Sequence, residues 1–283
     1  MMAELMRGKP VADAIYADLA QRVEALRARG AHPRLALVRV GGSDADAAYL
    51  RSIVAQAEKV GVKVDAHELP ADASRLAVEA IIEGVNVDRA VHGCMLFRPL
   101  PKGMGELELC NMLAPEKDVD GVGARSLAGV FMGEREGFAP CTAQACVEML
   151  DCYGVDLAGK HAVVVGRSLV VGKPAAMLML ARNATVTLCH SGTADLPALM
   201  RAADIVVCAT GRARAFGAEC FSAGQVVLDV GTNTDADGVF CGDVDFAAVE
   251  PIVGAITPVP GGMGAVTTAV LLAHVVEAAE RRA

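Results

Sequence analysis

The stretch His161-Ala162-Val163-Val164-Val165-Gly166-Arg167-Ser168-Leu169-Val170-Val171-Gly172-Lys173-Pro174 decides how this chain is read. His161–Val165 is a short, nearly continuous apolar run, as expected of a strand buried on both faces of a parallel sheet. Gly166 lets the chain leave that strand in a tight turn. Gly172 lets the backbone approach a pyrophosphate, and the helix that follows directs its N–H groups and dipole at such an anion. Pro174 suits the first turn of that helix. Ser168 stands near the middle glycine of the usual fingerprint. A two-glycine loop also arises from strand-to-helix packing alone, so its surroundings must decide.

Those surroundings repeat the pattern. Strands are expected at 185–189, 205–209 and 226–230, alternating with helices at 144–153, 174–182 and 196–202. This is a dinucleotide-binding layout of the Rossmann type. Upstream, helices at 11–29, 47–60 and 76–83 alternate with strands at 35–40, 62–64 and 91–96, which indicates a second set of βαβ units. Pro99 and Pro101 stop the last of these strands, and a long helix is expected at 265–281. The fold class is therefore α/β, and 283 residues suit about two domains.

Composition removes several classes of function. The 26 Lys+Arg against 34 Asp+Glu leave a net charge of −8, with no Trp, three Tyr and seven Phe. An acidic chain poor in aromatics lacks the basic patches and stacking rings of a nucleic-acid binder. The richest apolar run, 265–276, is short for a membrane span and contains His274 and two Thr. Residues 1–9 lack the apolar centre of a signal peptide, so a soluble, cytoplasmic protein is expected. The nine Cys include no Cys-x-x-Cys pair and read as small buried hydrophobes, and no metal is expected.

The end of the strand at 185–189 bears on the nucleotide. An NAD site usually carries an acidic residue there for the ribose hydroxyls. Here the chain continues His190-Ser191-Gly192-Thr193 with no acid before Asp195, while Arg167 and Ser191 suit a 2′-phosphate. The reading is NADP, with NAD the alternative.

The ordered motifs Pro115-Glu116-Lys117-Asp118-Val119-Asp120-Gly121, Pro140-Cys141-Thr142, the 166–174 loop, Cys189-His190-Ser191, Asp229-Val230-Gly231, Gly242-Asp243-Val244 and Thr257-Pro258-Val259-Pro260-Gly261-Gly262 span most of the chain. With these motifs the chain resembles the methylenetetrahydrofolate dehydrogenase/cyclohydrolase family. The resemblance implies a folate-binding α/β domain over 1–139, completed by 258–283, and a Rossmann domain over 140–257, with a cleft between them. It also implies a homodimer acting on one-carbon tetrahydrofolate derivatives. In such a site Tyr49 stacks on the folate ring and Asp120 binds the pterin edge, since a flat ring with N–H donors wants an aromatic face and a carboxylate. The nucleotide set becomes Gly166, Arg167, Ser168, Val171, Gly172, His190, Ser191, Gly211, Gly231 and Thr232. Pro260, Gly261 and Gly262 join the substrate set.

The chain departs from the family at chemically important positions. Where the family reads Ser-x-x-Tyr-x-x-x-Lys, this chain has Asp46, Tyr49 and Ile53. Where it reads Val-Gln-Leu-Pro-Leu-Pro, this chain reads Leu96-Phe97-Arg98-Pro99-Leu100-Pro101, and Gly-Pro-Met-Thr becomes Gly264-Ala265-Val266-Thr267. The catalytic Lys and its Gln partner are thus Ile53 and Phe97. Replacing both members of a polar pair by apolar groups is nearly neutral for folding, whereas replacing one is not. Hydride transfer depends on positioning, while hydrolysis of the methenyl product needs an acid–base group. The expected function is an NADP-linked methylenetetrahydrofolate dehydrogenase that has lost the cyclohydrolase step. A bifunctional enzyme and a non-catalytic folate- or nucleotide-binding paralogue are the alternatives.

Overall fold

A computed structural model describes residues 2–134 and 136–283. Its strands are β1 (Glu4–Leu5), β2 (Arg34–Val40), β3 (Lys63–Leu69), β4 (Gly93–Leu96), β5 (His161–Val165), β6 (Thr185–Cys189), β7 (Ile205–Cys208), β8 (Val226–Asp229), β9 (Asn233–Thr234), β10 (Phe240–Cys241) and β11 (Ala255–Ile256). Its helices are α1 (Gly8–Ala28), α2 (Asp44–Val60), α3 (Arg75–Val87), α4 (Glu106–Met112), α5 (Ala124–Met132), α6 (Cys141–Cys152), α7 (Gly172–Ala181), α8 (Leu196–Arg201), α9 (Phe246–Val249) and α10 (Met263–Glu280). The chain divides into two compact units, one of residues 1–13 with 142–267 and one of 14–141 with 268–283.

The first unit holds a six-stranded sheet in the order β1-β11-β8-β7-β5-β6, parallel throughout. From β6, the order runs second, first, third, fourth, fifth in the series that begins at β5. The order therefore reverses between β5 and β7, and open α/β sheets bind ligands at the carboxyl ends of strands beside such a point. Val163, Val165, Val206, Cys208, Val227 and Ile256 are buried in one core cluster, which explains why these strands read as unbroken apolar runs. Residues 1–13 belong here and not with the folate-binding domain, because β1 pairs with β11 at the sheet edge. Such a two-residue strand has no period to detect in sequence.

In the second unit β2 lies between β3 and β4 in a parallel three-stranded sheet. Ala36, Val38, Cys94 and Leu96 from the sheet share a core with Val78 and Ile82 of α3 and Leu109 of α4. An isolated parallel bridge from Cys94 to Asp118 extends the sheet beyond β4. β4 thus lies beside Asp118, on the side away from β2. α2 starts on a capping box: Ser43 accepts from the Asp46 amide, and Asp46 accepts from the Ser43 amide. It stops at Gly61, whose φ of 84° suits a left-handed cap. Leu50, Ile53, Ala57 and Val60 form its buried stripe.

α10 is longer than the apolar run expected from the sequence, and by length and composition it reaches the size of a membrane span. Of that window, 67% is buried inside the protein, as in the core helix of a globular domain. Its second half belongs to the folate-side unit, where Arg22 of α1 pairs with Glu280 at 2.7 Å. All cysteines are free, and all but Cys152 are buried.

Candidate functional site

The nucleotide-side loop is built as the sequence suggested. Gly166 has φ 133°, and a Cβ there would stand 2.2 Å from the Ala209 carbonyl oxygen, so only glycine fits. That contact joins the turn after β5 to the segment after β7, and Ala209 N–H donates to the Val165 carbonyl at 2.8 Å. Gly172 is needed for the loop's own closure. A Cβ there would meet the Gly166 carbonyl oxygen at 1.9 Å, so the loop's own backbone packing also requires glycine. Ser168 Oγ accepts from Val171 N–H at 3.1 Å, and the Ser168 carbonyl accepts from Lys173 N–H at 3.1 Å. Arg167, Ser168 and Leu169 are left exposed at the rim, with Val171 half-buried.

Gly166 N–H donates to the Cys189 carbonyl at 2.9 Å, which ties the loop to the end of β6. There a short turn closes when His190 N–H reaches Thr193 Oγ1 at 2.9 Å, and Ser191 is exposed. On the other side of the switch point Gly211 and Thr232 are exposed. A buried pair of carboxylates that sequence reasoning read only as motif letters holds their loops. Asp243 accepts from Thr210, Gly211 and Arg212 amides and from Asn233 Nδ2. Asp229 accepts from Gly231, Asp243 and Val244 amides at 2.9–3.0 Å. Burial pushes the Asp229 carboxyl up to about 6 against those three donors. Gly231 is buried against this network, where a Cβ would strike Asp243 Oδ1 at 2.2 Å, so it shapes the loop from inside.

In the folate-side unit, Tyr49, Phe97, Arg98 and Asp120 come together. The capping box starts α2 so that Tyr49 lies one turn before Ile53. Phe97 leaves β4 with its N–H on the Val38 carbonyl at 2.8 Å, and the Tyr49 and Phe97 rings meet edge-to-face with centroids 5.8 Å apart. The Tyr49 hydroxyl bonds Thr268 of α10, and burial raises its pKa. Asp118 and Asp120 have separate tasks. Asp118 is buried and accepts from Val122 N–H, Gly123 N–H and Ser126 Oγ, which folds its own loop. Asp120 instead receives Arg98 Nη2 at 3.2 Å and interacts with the Cys141 thiol. Burial pushes its carboxyl up to about 6, with Arg98 opposing the rise.

The departures now have physical accounts. Ile53 has no exposed surface and Phe97 is 6% exposed, so apolar packing occupies both positions of the family's Lys–Gln pair. Asp46 completes the cap of α2. Ala265 lies exposed in the first turn of α10. Lys117 offers no substitute for the lost lysine, because its buried Nζ donates to the Val85 and Asp88 carbonyls at the end of α3. Lys59 and Lys102 are exposed. Arg98 went unremarked in the sequence reading, although a charged residue in place of leucine beside paired prolines was a visible signal. Pro260, Gly261 and Gly262 fall in the nucleotide-side unit, where the Gly261 carbonyl accepts from Gly8 N–H at 2.9 Å.

Two family models together match most of the chain, with bounds that differ from the structural units at residues 6–13 and 268–283. The catalytic domain of tetrahydrofolate dehydrogenase/cyclohydrolase matches residues 6–120, and its NAD(P)-binding domain matches residues 140–283. The chain belongs to the tetrahydrofolate dehydrogenase/cyclohydrolase family. It is 48% identical over 281 residues to the "Bifunctional protein FolD" of Carboxydothermus hydrogenoformans, covering 99% of this chain and 98% of that one. The bifunctional FolD structure from Campylobacter jejuni superposes with a TM-score of 0.96 at 34% identity, covering 99% and 100% of the two chains. The Trypanosoma brucei FolD, solved with NADP and an inhibitor, superposes with a TM-score of 0.93 at 34% identity over 100% of both chains. Dehydrogenase/cyclohydrolase relatives thus share the fold of both units.

Proposed function

We propose that this member of the family oxidises 5,10-methylenetetrahydrofolate to 5,10-methenyltetrahydrofolate with NADP, and that its cyclohydrolase step is lost. The observation that carries the proposal is the burial of Ile53 and Phe97, the latter against the Tyr49 ring, while Tyr49 and Asp120 keep the residue types that the resemblance assigns to folate. Tyr49 presents an aromatic face to a flat ring. Asp120 presents a carboxylate to its N–H edge. Neither side chain needs to move a proton for a hydride to leave the methylene carbon, and the reaction at that carbon depends on alignment and exclusion of water. Ile53 and Phe97 serve both requirements. They also place no cation beside a product that carries positive charge.

The nucleotide-side residues fit NADP. The glycine-closed loop leaves residues 167–169 exposed, as is Ser191, with no acid at 189–193. When bound, the nicotinamide supplies the hydride acceptor. Arg167 and Ser191 are assigned to the 2′-phosphate, and the relative solved with NADP supports that choice of nucleotide.

A second reading has its own support. Relatives that match nearly the whole chain at 44–48% identity are named bifunctional, which favours retained hydrolysis at least as strongly as the local packing favours its loss. One paired assay separates the readings. With NADP and methylenetetrahydrofolate, the first predicts that methenyl absorbance accumulates and then decays no faster than in buffer. General acid–base groups contribute roughly 10²–10⁴-fold, so enzyme-dependent decay would be plain and would establish the bifunctional reading. Absence of NADP reduction would overturn the dehydrogenase itself.

A further inference from the structure

We propose that Arg98 is a positioning residue that keeps Asp120 an anion, and so sets the pH range over which the protein accepts its folate substrate. The proposal rests on the reading of Asp120 as acceptor for the pterin edge, a task that only the ionised carboxylate performs without donating a proton of its own.

The groups around Asp120 pull in opposite directions. Asp118, two residues away, is a buried second carboxyl, and the Cys141 thiol at the start of α6 and the Tyr49 phenol on α2 are weak acids held neutral by burial. Cys110 of α4 is a further buried thiol whose pKa is pushed up to about 11. Asp118 disfavours another negative charge at Asp120, whereas the Cys141 thiol, as a hydrogen-bond donor, favours it. Arg98 opposes the effect of burial most strongly, with Nη2 3.2 Å from Asp120 Oδ2 and the two side chains 20% and 14% exposed. The guanidinium has no second acidic partner among the described residues, and its Nε–H is sealed from solvent without an acceptor. Leaving such a donor unpaired is costly, so packing for its own sake does not explain an arginine here. A leucine, which the family's motif carries at this place, would fill the position without a buried donor. The arginine is explained by the carboxylate it faces.

An opposite charge at this distance lowers a carboxyl pKa by roughly one to three units. Burial and Arg98 together leave Asp120 at about 6. Removing the cation therefore moves its midpoint to about 7 or higher. At pH 7 the ionised fraction falls from roughly nine-tenths to half or less.

The test uses R98L and R98K in the full chain. For R98L, the KM for methylenetetrahydrofolate should rise at least about twofold at pH 7 and return toward the wild-type value at pH 9. The Kd for NADP should stay unchanged. R98K should keep most of the wild-type profile, because it keeps the charge. Carbon-13 titration of aspartate carboxyls, assigned with D120N, should show the Asp120 midpoint moving up in R98L. An unmoved midpoint overturns the proposal. So does a KM raised equally at pH 7 and pH 9, which is the signature of a merely structural arginine. A midpoint that moves while D120N leaves KM unchanged supports control of Asp120 by Arg98, and overturns the folate-contact reading instead.

Discussion

Replacing Ile53 by Lys puts an amine where the structure has a fully buried methyl-bearing side chain in the middle of the α2 stripe. Phe97 stands where the family has the glutamine partner, so the amine lacks the acceptor that the family's motif supplies. A lysine in that setting sheds its proton, and documented buried lysines titrate near pH 5–6 instead of about 10.4. Staying neutral at pH 7 then costs about 1.4 kcal/mol for each of roughly three and a half units, or about 5 kcal/mol. For units of this size that corresponds to a fall in Tm of roughly 10–20 °C. The sign with pH follows from proton counts. The folded pKa lies below the unfolded one, so the unfolded chain binds more protons between them, and the penalty shrinks as pH rises toward 10. Thermal melts of wild type and Ile53→Lys at pH 7, 8 and 9 measure this. Adding Phe97→Gln should recover a substantial part of the loss, and the double variant is the one to assay for methenyl hydrolysis. A single variant as stable as wild type at pH 7, with no change in the gap at pH 9, would refute the argument that this position is dry and unpartnered.

Further expectations concern other residues. Tyr49→Ala and Asp120→Ala should each raise the KM for methylenetetrahydrofolate at least about tenfold, the loss of one ring or charged hydrogen-bond contact, with the Kd for NADP within about twofold of wild type. Isothermal titration with each ligand checks both halves. Arg167→Ala should weaken NADP by roughly tenfold and NAD much less, because only NADP carries the extra phosphate; equal losses would reassign Arg167 to the loop. Asp229→Asn substitutes a donor for an oxygen that accepts backbone N–H groups, and should cost about 2–4 kcal/mol in urea unfolding and weaken NADP through the 210–212 and 231–243 loops. Unchanged stability would show that the three amide bonds contribute little.

Much of this protein was legible before any tertiary contact was known. The runs at 161–165 and 205–208 form strands at the expected places because strands buried on both faces leave unbroken apolar runs, while β6 at 185–189 is the half-exposed edge strand. α2 was legible from its 3.6-residue period, whereas Ile53 was marked only as a departure from the family motif. Tyr49 and Asp120 were marked only through family motifs, since a ring on a helix and an acid before glycine are common in any α/β chain.

Tertiary structure decided matters that have no local signal. β1 and β11 are two residues each, too short for a period, and exist because neighbouring strands supply their hydrogen-bond partners. The units therefore exchange residues 1–13 and divide α10, against boundaries drawn from motif order. The sequence could not rank Asp118 against Asp120, or Asp229 against any other motif acid, because carboxylates differ by what surrounds them. Folding gives Asp118 and Asp229 their own backbone amides and gives Asp120 a guanidinium 3.2 Å away. Hydrogen-bond partners come from residues distant in the chain, and only the packed fold brings a cation from position 98 to a carboxyl at position 120.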